Sequence, residues 1–598
     1  MCKNKDVDVK KLIEKMIWEP EKKRYKGYEL EKIKEIIKEK KFKYICFFWS
    51  IISIQFILGG NLQGKGHICT SKSQVLLNIF MFIFMTVIFI TLHYSILEIY
   101  NRKKVIKEKK EIVVKNKQQE KSKDTVFNKV INKIKGTKHK GILYFLIIFV
   151  CWIPTVLAFY PAIVAYDGGN QIIGYLFEHK MMHHPILITK LYSTFYLIGI
   201  KLESATIGMF FFSLFQMTFM AVSFSNTVVF IEEQTNKKWV RNISILFYAL
   251  FPYNQLFAIT TTKDVIFAGF VLIFLINLYR NLLKKFKIVD YVFLILIGVL
   301  MLLSRNNSIY MLDVSLPFVI IVLIKEKKKM LKIAALFLII IISYKCANKL
   351  IYEKNNTETI KAKSTEGNMR TSIFTQAVGR TVRDNKDKLT YEEKEKISYY
   401  FKDYEMIGKE YEQNIADSTT KMMSSINNKK EFFEFILELG KKYPMSFIES
   451  FFDTTRGFWY ICDKSFSNIE FYQMPGAFEL YDTGIFRSGK YRIEHNSKLP
   501  LLKEVYNVLY CYNGYQFIPI LYVFLQPGIY FYFALAFLLY AIYKNEKNTL
   551  VIAILLFVFY ASCYMANCSI VRYMYPVMVS TPIMLALVEK NKKEEENE

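Results

Sequence analysis

The sequence predicts an all-α polytopic membrane protein of about twelve transmembrane helices with a mostly helical extracytoplasmic domain. Three observations lead there. Apolar runs of about 18–25 residues recur along the 598-residue chain, the length at which a helix crosses a hydrocarbon core. The composition is 52% hydrophobic and 16% aromatic, with a mean hydropathy of +0.17. Lysine and arginine exceed aspartate and glutamate by 81 to 53, a formal charge of +28, and the excess is concentrated in segments between apolar runs. These features exclude a soluble globular enzyme, a disordered chain and a β-barrel. They also argue against nucleic acid as a partner, because the positive charge has another use in orienting the chain in a lipid bilayer. Nine cysteines without paired spacing make neither a disulfide framework nor a zinc site. The charged first 40 residues lack the pattern of a cleavable signal peptide.

In order, the expected spans are 43–60, 75–99, 141–160, 203–231, 243–259, 265–279, 288–304, 311–324, 331–345, 522–543, 549–567 and 577–589. Residues 1–43 carry 15 basic against 9 acidic residues, and residues 101–140 carry 15 against 4. The short loops Arg280–Lys287 and Lys325–Lys329 and the start of the tail at Lys590 are also basic. With twelve spans all of these share one side, and the positive-inside rule makes it cytoplasmic, with both termini inside a cell membrane. The organisation follows: a basic N-terminal segment 1–42, an accessory hairpin 43–99, a basic linker 100–140, a membrane core 141–345 with outer loop 161–202, an extracytoplasmic domain 346–507, C-terminal spans 508–589 and a tail 590–598. Ile186–Ile200, with Lys190 inside it, reads as an interfacial helix, and the first half of Leu501–Phe524 as juxtamembrane.

The 346–507 domain carries 25 basic and 24 acidic residues. Thr390 and Glu393 form a capping-box pattern opening a helical stretch over 391–404, and 427–440 has helical spacing of Phe432, Phe435, Ile436 and Leu439, ending at Gly440. Phe458–Tyr491 reads as an aromatic loop, suited to stacking on sugars or to a small aromatic core. Of 12 arginines, eight fall on the outer side: Arg305, Arg370, Arg380, Arg383, Arg456, Arg487, Arg492 and Arg572. Orientation needs only lysine, whereas the guanidinium fork suits phosphate and carboxylate. The bias therefore points either to anion recognition or to arginine–carboxylate pairing within the domain.

Four outer turns place a charged residue near the bilayer surface, where charge is costly unless it is paired or used. The first runs from Phe159 through Asp167, Gly168, Gly169 and Gln171 to His183, His184 and Pro185. A carboxylate at Asp167 can serve as general base toward a hydroxyl or ligate a divalent cation such as Mg or Mn; its ordinary role would be to start a turn or cap a helix. Adjacent helical histidines point apart, so His183 and His184 make a poor metal pair. The second turn, Thr260–Asp264, offers Lys263 to neutralise a phosphate and Asp264 to hold Lys263, cap a helix or bind metal. The third offers Arg305 and the fourth Arg572.

This combination resembles the GT-C superfamily of integral-membrane glycosyltransferases, which includes the dolichyl-phosphate-mannose protein mannosyltransferases and the bacterial aminoarabinose transferases. The shared features are an Asp in the outer loop after an early span, interfacial helices beside it and a helical outer domain late in the chain. More closely, the blocks Tyr160-Pro161…Asp167…Gln171…His184-Pro185, Thr262-Lys263-Asp264, Arg305-Asn306-Asn307 and Arg572-Tyr573…Pro576 are similar to a group of uncharacterised multi-pass proteins of Gram-positive bacteria. The resemblance covers roughly residues 141–589. It implies inverting transfer of a sugar from a polyprenyl phosphate to an extracytoplasmic glycan, lipid or protein hydroxyl. Asp167 would be the catalytic carboxylate, Lys263, Arg305 and Arg572 the leaving-phosphate ligands, and Asp264, His183, His184 and Gln171 further substrate or metal contacts. The chain departs from the pattern in lacking an Asp-x-Asp or Asp-Glu pair, since Gly168 follows Asp167, and in its additional N-terminal hairpin. A transporter of lipid-linked or anionic glycans and a non-enzymatic envelope scaffold are the rival functions.

Overall fold

The computed structural model describes residues 36, 38–115, 140–177, 184–284, 287–354, 372–424, 426, 428–464, 489–512, 514–566 and 568–591. Among these the chain is almost wholly helical, without strands; only isolated bridges, such as Ile163 with Thr260, join extended segments. The principal helices are α1 (Lys40–Lys65), α2 (Lys72–Lys115), α3 (Lys140–Ala158), α4 (Tyr166–Leu176), α5 (Ile186–Lys201), α6 (Ala205–Gln234), α7 (Lys238–Leu250), α8 (Lys263–Leu283), α9 (Ile288–Ser304), α10 (Asn306–Leu323) and α11 (Lys327–Lys354). A helical domain contributes α12 (Ser372–Asn385), α13 (Tyr391–Tyr400), α14 (Lys429–Lys442) and α15 (Pro444–Thr454). The chain then returns through α16 (Gly528–Lys544), α17 (Lys547–Ser562) and α18 (Val571–Val588).

Nine helices among the described residues are long and apolar enough to cross a membrane: α1, α2, α3, α6, α8, α10, α11, α17 and α18. The protein is thus a multi-pass, all-helical membrane protein. The other three expected spans also fall on helix, but in altered form. The 243–259 run breaks at Phe251, which is extended because Pro252 follows it, and resumes as a short helix Pro252–Phe257. α9 has 17 residues. In the 522–543 run, a helix Pro519–Leu525 meets α16 at 67°.

Helix α8 is apolar on every face and is buried accordingly, against α6, α9, α17 and α18. Helix α2 is equally apolar, yet none of its span is buried and it leans on α1 alone, as expected of a helix whose remaining surface meets lipid. Helices α5 and α6 cross at Gly199 and Gly208, where a Cβ on either would lie 2.8 Å from the Cα of the other. Ser204 Oγ caps α6 by accepting from Ile207 N–H. At one end of the bundle the predicted basic loops are tied by ion pairs: Arg280–Glu233 at 2.8 Å, Arg241–Glu232 at 3.1 Å, Lys547–Glu326 at 2.7 Å and Lys590–Glu546 at 2.9 Å.

The helical domain has its own core, built from Val378, Val382, Ile397, Phe401, Phe432, Phe435, Ile436 and Leu439. The Thr390–Glu393 capping box is present, but the expected 391–404 stretch is two helices, because Phe401 is extended and Asp403 caps a new turn at Tyr404–Lys409. Gly440 does not stop α14, which runs on to Lys442. That glycine serves packing: a Cβ there would press on the Phe447 ring of α15 at 3.3 Å. Most of the Phe458–Tyr491 aromatic loop, and Arg370 and Arg487, lie outside the described residues.

The candidate site: a buried charge cluster at one end of the bundle

The site forms at the bundle end opposite those basic loops. After α3 the chain runs extended beside residues 259–261. Ile163 N–H donates to Ile259 O at 3.0 Å, Thr261 N–H to Ile163 O at 2.9 Å, and Ala165 N–H to Thr261 Oγ1 at 2.9 Å. Gly168 then sits directly on Thr261, where any Cβ would overlap Oγ1 and the carbonyl oxygen. This close approach needs glycine, and it brings the first turn of α4 onto the first turn of α8. Asp167 and the Lys263–Asp264 pair therefore become neighbours, although 96 residues separate Asp167 from Lys263.

Neither aspartate caps its helix. Ala165 and Thr262 hold the N-cap positions without side-chain capping bonds. Asp167 Oδ2 instead pairs with Arg572 Nη2 at 2.8 Å and with Lys263 Nζ at 3.9 Å. Asp264, fully buried, takes a short ion pair from Arg305, a hydrogen bond from Thr262 Oγ1 at 3.3 Å, and Arg572 Nε at 3.7 Å. Arg305 is caged by aromatic faces, with ring centres at 5.8 Å (Phe267), 5.5 Å (Phe559) and 4.9 Å (Tyr573). Arg572 lies 5.3 Å from the Tyr573 ring. Lys263 Nζ is 3.4 Å from His184 Nδ1. Gln171, one turn after Asp167, accepts through Oε1 from Thr189 Oγ1 of α5 at 3.1 Å.

The structure thus brings together Asp167, Lys263, Asp264, Arg305, Arg572 and His184, with Gln171 beside them; His183 lies outside the described residues. Asp264 holds Arg305 rather than capping α8. Arg305, 6% exposed, is paired to that carboxylate. The donor set does not fit a Mg or Mn site: both carboxylates are engaged by cations, and the three cations gathered there repel a divalent ion. A second cluster whose ligand atoms lie within 4.8 Å of one another, His67, Asp384 and Glu449, already holds the Arg380 guanidinium, paired to Glu449 at 2.6 Å and to Asp384 at 3.1 Å.

Sequence reading quoted Thr262 and Tyr573 within motif blocks but gave them no role, and it missed Thr261, Phe267 and Phe559. The threonines stand beside Lys263 and Tyr573 beside Arg572, so adjacency was an available signal. Nothing local marks Phe267 and Phe559 among 51 phenylalanines. The helical domain reaches the site from outside it. Ser569 Oγ accepts from Gly457 N–H at 3.2 Å and donates to Thr454 O at 3.0 Å, anchoring the loop that leads into Arg572.

No curated protein and no solved structure matches the chain. One family model matches residues 181–598, a stretch that contains His184, Lys263, Asp264, Arg305 and Arg572 and begins after Asp167 and Gln171. Since that match spans well over half of the sequence, the chain belongs to DUF6020, a family of unknown function.

Proposed function

We propose that this protein is a membrane glycosyltransferase of GT-C type that moves a sugar from a polyprenyl phosphate to an acceptor hydroxyl outside the cell membrane, with inversion. The observation that carries the reading is the charge balance of the site. Among the described residues, Lys263, Arg305 and Arg572 make ion pairs with Asp167 and Asp264, all with side chains less than one-fifth exposed. Cations gathered away from water at the end of a helical bundle form a favourable place for an anion. A lipid phosphate is the anion available at that depth. The convergence of Asp167, Arg305 and Arg572 on one point also speaks against a scaffold, which needs no such cluster.

In the resting arrangement Asp167 neutralises Arg572 and Lys263. A bound phosphate takes over both cations and releases the carboxylate to act as base. The acceptor oxygen then attacks the anomeric carbon from the face opposite the phosphate, and its proton passes to Asp167. The bond from carbon to phosphate oxygen breaks, and polyprenyl phosphate leaves with the electron pair, stabilised by Arg572 and Lys263. Asp264, pinned by Arg305, holds Arg572 in place. Twelve crossings follow if α7 with Pro252–Phe257, α9 and the bent 519–544 pair each count as one, which sets both termini in the cytoplasm.

The test is transfer from radiolabelled polyprenyl-phosphate sugars in proteoliposomes. Asp167→Asn should lower turnover by roughly 10²–10⁴-fold, the usual worth of a general base. It should not weaken binding of polyprenyl phosphate, since the competing carboxylate charge is gone. Unimpaired turnover in Asp167→Asn would sink the mechanism.

A further inference from the structure

Beside the charges lies a set of polar groups that the phosphate chemistry does not use. Gln171 Nε2, Tyr192 OH and Ser193 Oγ are buried, and none has a hydrogen-bond partner among the described residues. Their placement is coherent. Asp167 and Gln171 are one turn apart on α4, so their side chains lie along one face. Thr189, Tyr192 and Ser193 are at i, i+3 and i+4 on α5, also one face, and the Thr189–Gln171 hydrogen bond joins the two faces. Burial, with the nearby charges of Asp264 and Asp167, raises the Tyr192 hydroxyl well above its ordinary pKa, while its ring packs edge-on against Phe212 at 5.1 Å. A buried hydroxyl or amide without a partner costs about 1–3 kcal/mol, and an apolar residue of the same shape would avoid that cost. The same α5–α6 interface uses Phe195 and Phe212 freely. Three such groups on two joined faces beside the charge cluster are placed to pair with a ligand that reaches it.

We propose that Gln171, Tyr192 and Ser193 form a hydroxyl-binding subsite that holds the sugar ring of the donor, next to its phosphate at Arg572 and Lys263. The inference rests on the glycosyltransferase reading. A sugar ring fits the set better than an acceptor does, because it presents several hydroxyls on one rigid frame, and these faces offer an amide donor and two groups that both donate and accept. An acceptor brings one hydroxyl to Asp167.

The experiment measures binding of the full chain in nanodiscs to polyprenyl phosphate and to its glucosyl, galactosyl and mannosyl esters. In the wild type at least one ester binds more tightly than the bare phosphate. Tyr192→Phe, Ser193→Ala and Gln171→Met each remove that gain by roughly three- to tenfold, the worth of one net hydrogen bond, and leave the bare phosphate unaffected. Because Tyr192 OH and Ser193 Oγ have no partner among the described residues, the melting temperatures of Tyr192→Phe and Ser193→Ala stay level or rise, where a structural role would lower them; Gln171→Met also gives up the bond from Thr189 and is read by binding alone. If the Tyr192→Phe/Ser193→Ala double variant keeps the full gain, or loses the bare phosphate equally, the subsite is wrong. If the wild type binds bare phosphate but no ester more tightly, the subsite falls and the phosphate site stands. If it binds no polyprenyl phosphate at all, both readings fall together.

Discussion

The molecule buries two clusters of opposite charge, and they are built differently. In the helical domain, Arg380 and Arg456 lie among Asp453, Glu449, Asp463 and Asp384, so carboxylates are in excess. Nearly every contact there is short and directional. Arg456 donates to Asp453 at 2.9 Å, to Asn414 at 3.1 Å and to Asp463 at 3.2 Å, while Arg380 reaches Glu449 at 2.6 Å and Tyr411 at 3.3 Å. At the end of the bundle, Arg305–Asp264 and Arg572–Asp167 (2.8 Å) are close, but other contacts among the described residues are long, at 3.4, 3.7 and 3.9 Å. Short, directional pairs specify a fold. Under the proposed function, the contacts of Lys263 and Arg572 with Asp167 at the bundle end are the ones a phosphate would replace. The domain cluster answers the arginine question posed by the sequence: Arg380 and Arg456 serve structure, while Arg572 faces the site.

The contrast can be broken from either side. Arg380→Leu should cost about 3–5 kcal/mol, because it strands buried carboxylates, and should show as premature proteolysis of the 372–464 region. Arg572→Gln should lower sugar transfer by roughly 10²–10³-fold, the loss of one preorganised charge donor, while its melting temperature moves far less than that of Arg380→Leu. Equal destabilisation by the two would erase the distinction. Gly168→Ala should cost about 1–3 kcal/mol by overpacking against Thr261 and should reduce transfer together with stability.

The smallest effect concerns pH. Burial pushes the Asp453 carboxyl up to about 6, despite the opposing pull of Arg380 and Arg456. A carboxyl raised in the folded state favours folding while protonated. Its contribution is therefore present at acid pH and fades as pH climbs through about 6. Thermal unfolding of the domain between pH 4 and 8 should show this loss, and Asp453→Asn should flatten it.

Much of the architecture was legible because hydropathy and charge act at the scale of whole helices. The basic loops Arg280–Lys287 and Lys325–Lys329 were readable one by one, and the ion pairs that tie them now define one end of the bundle. Charged turns were visible as costly exceptions, which is why Asp167, Lys263, Arg305 and Arg572 stood out. What was not legible depends on partners far away in sequence. Gly440 looks like a helix stop until Phe447 is seen against it. Asp264 looks like a cap until Arg305 arrives from another helix. Tyr192 and Ser193 look like ordinary polar residues of an interfacial helix, since a missing partner leaves no mark in a sequence.

The turn between α1 and α2 has a practical consequence. Gly66 ends α1 with φ 74°, and its carbonyl takes a short bond from Arg380. The next two residues reach Glu449, through His67 Nδ1 at 3.0 Å and Ile68 N–H at 2.6 Å. The hairpin is thus a plug whose tip completes the wiring of a domain more than 300 positions downstream. Expression of residues 181–598 alone would leave that socket open, with Arg380 and Glu449 each short of a partner. Supplying the hairpin as a separate piece should restore what trimming removes.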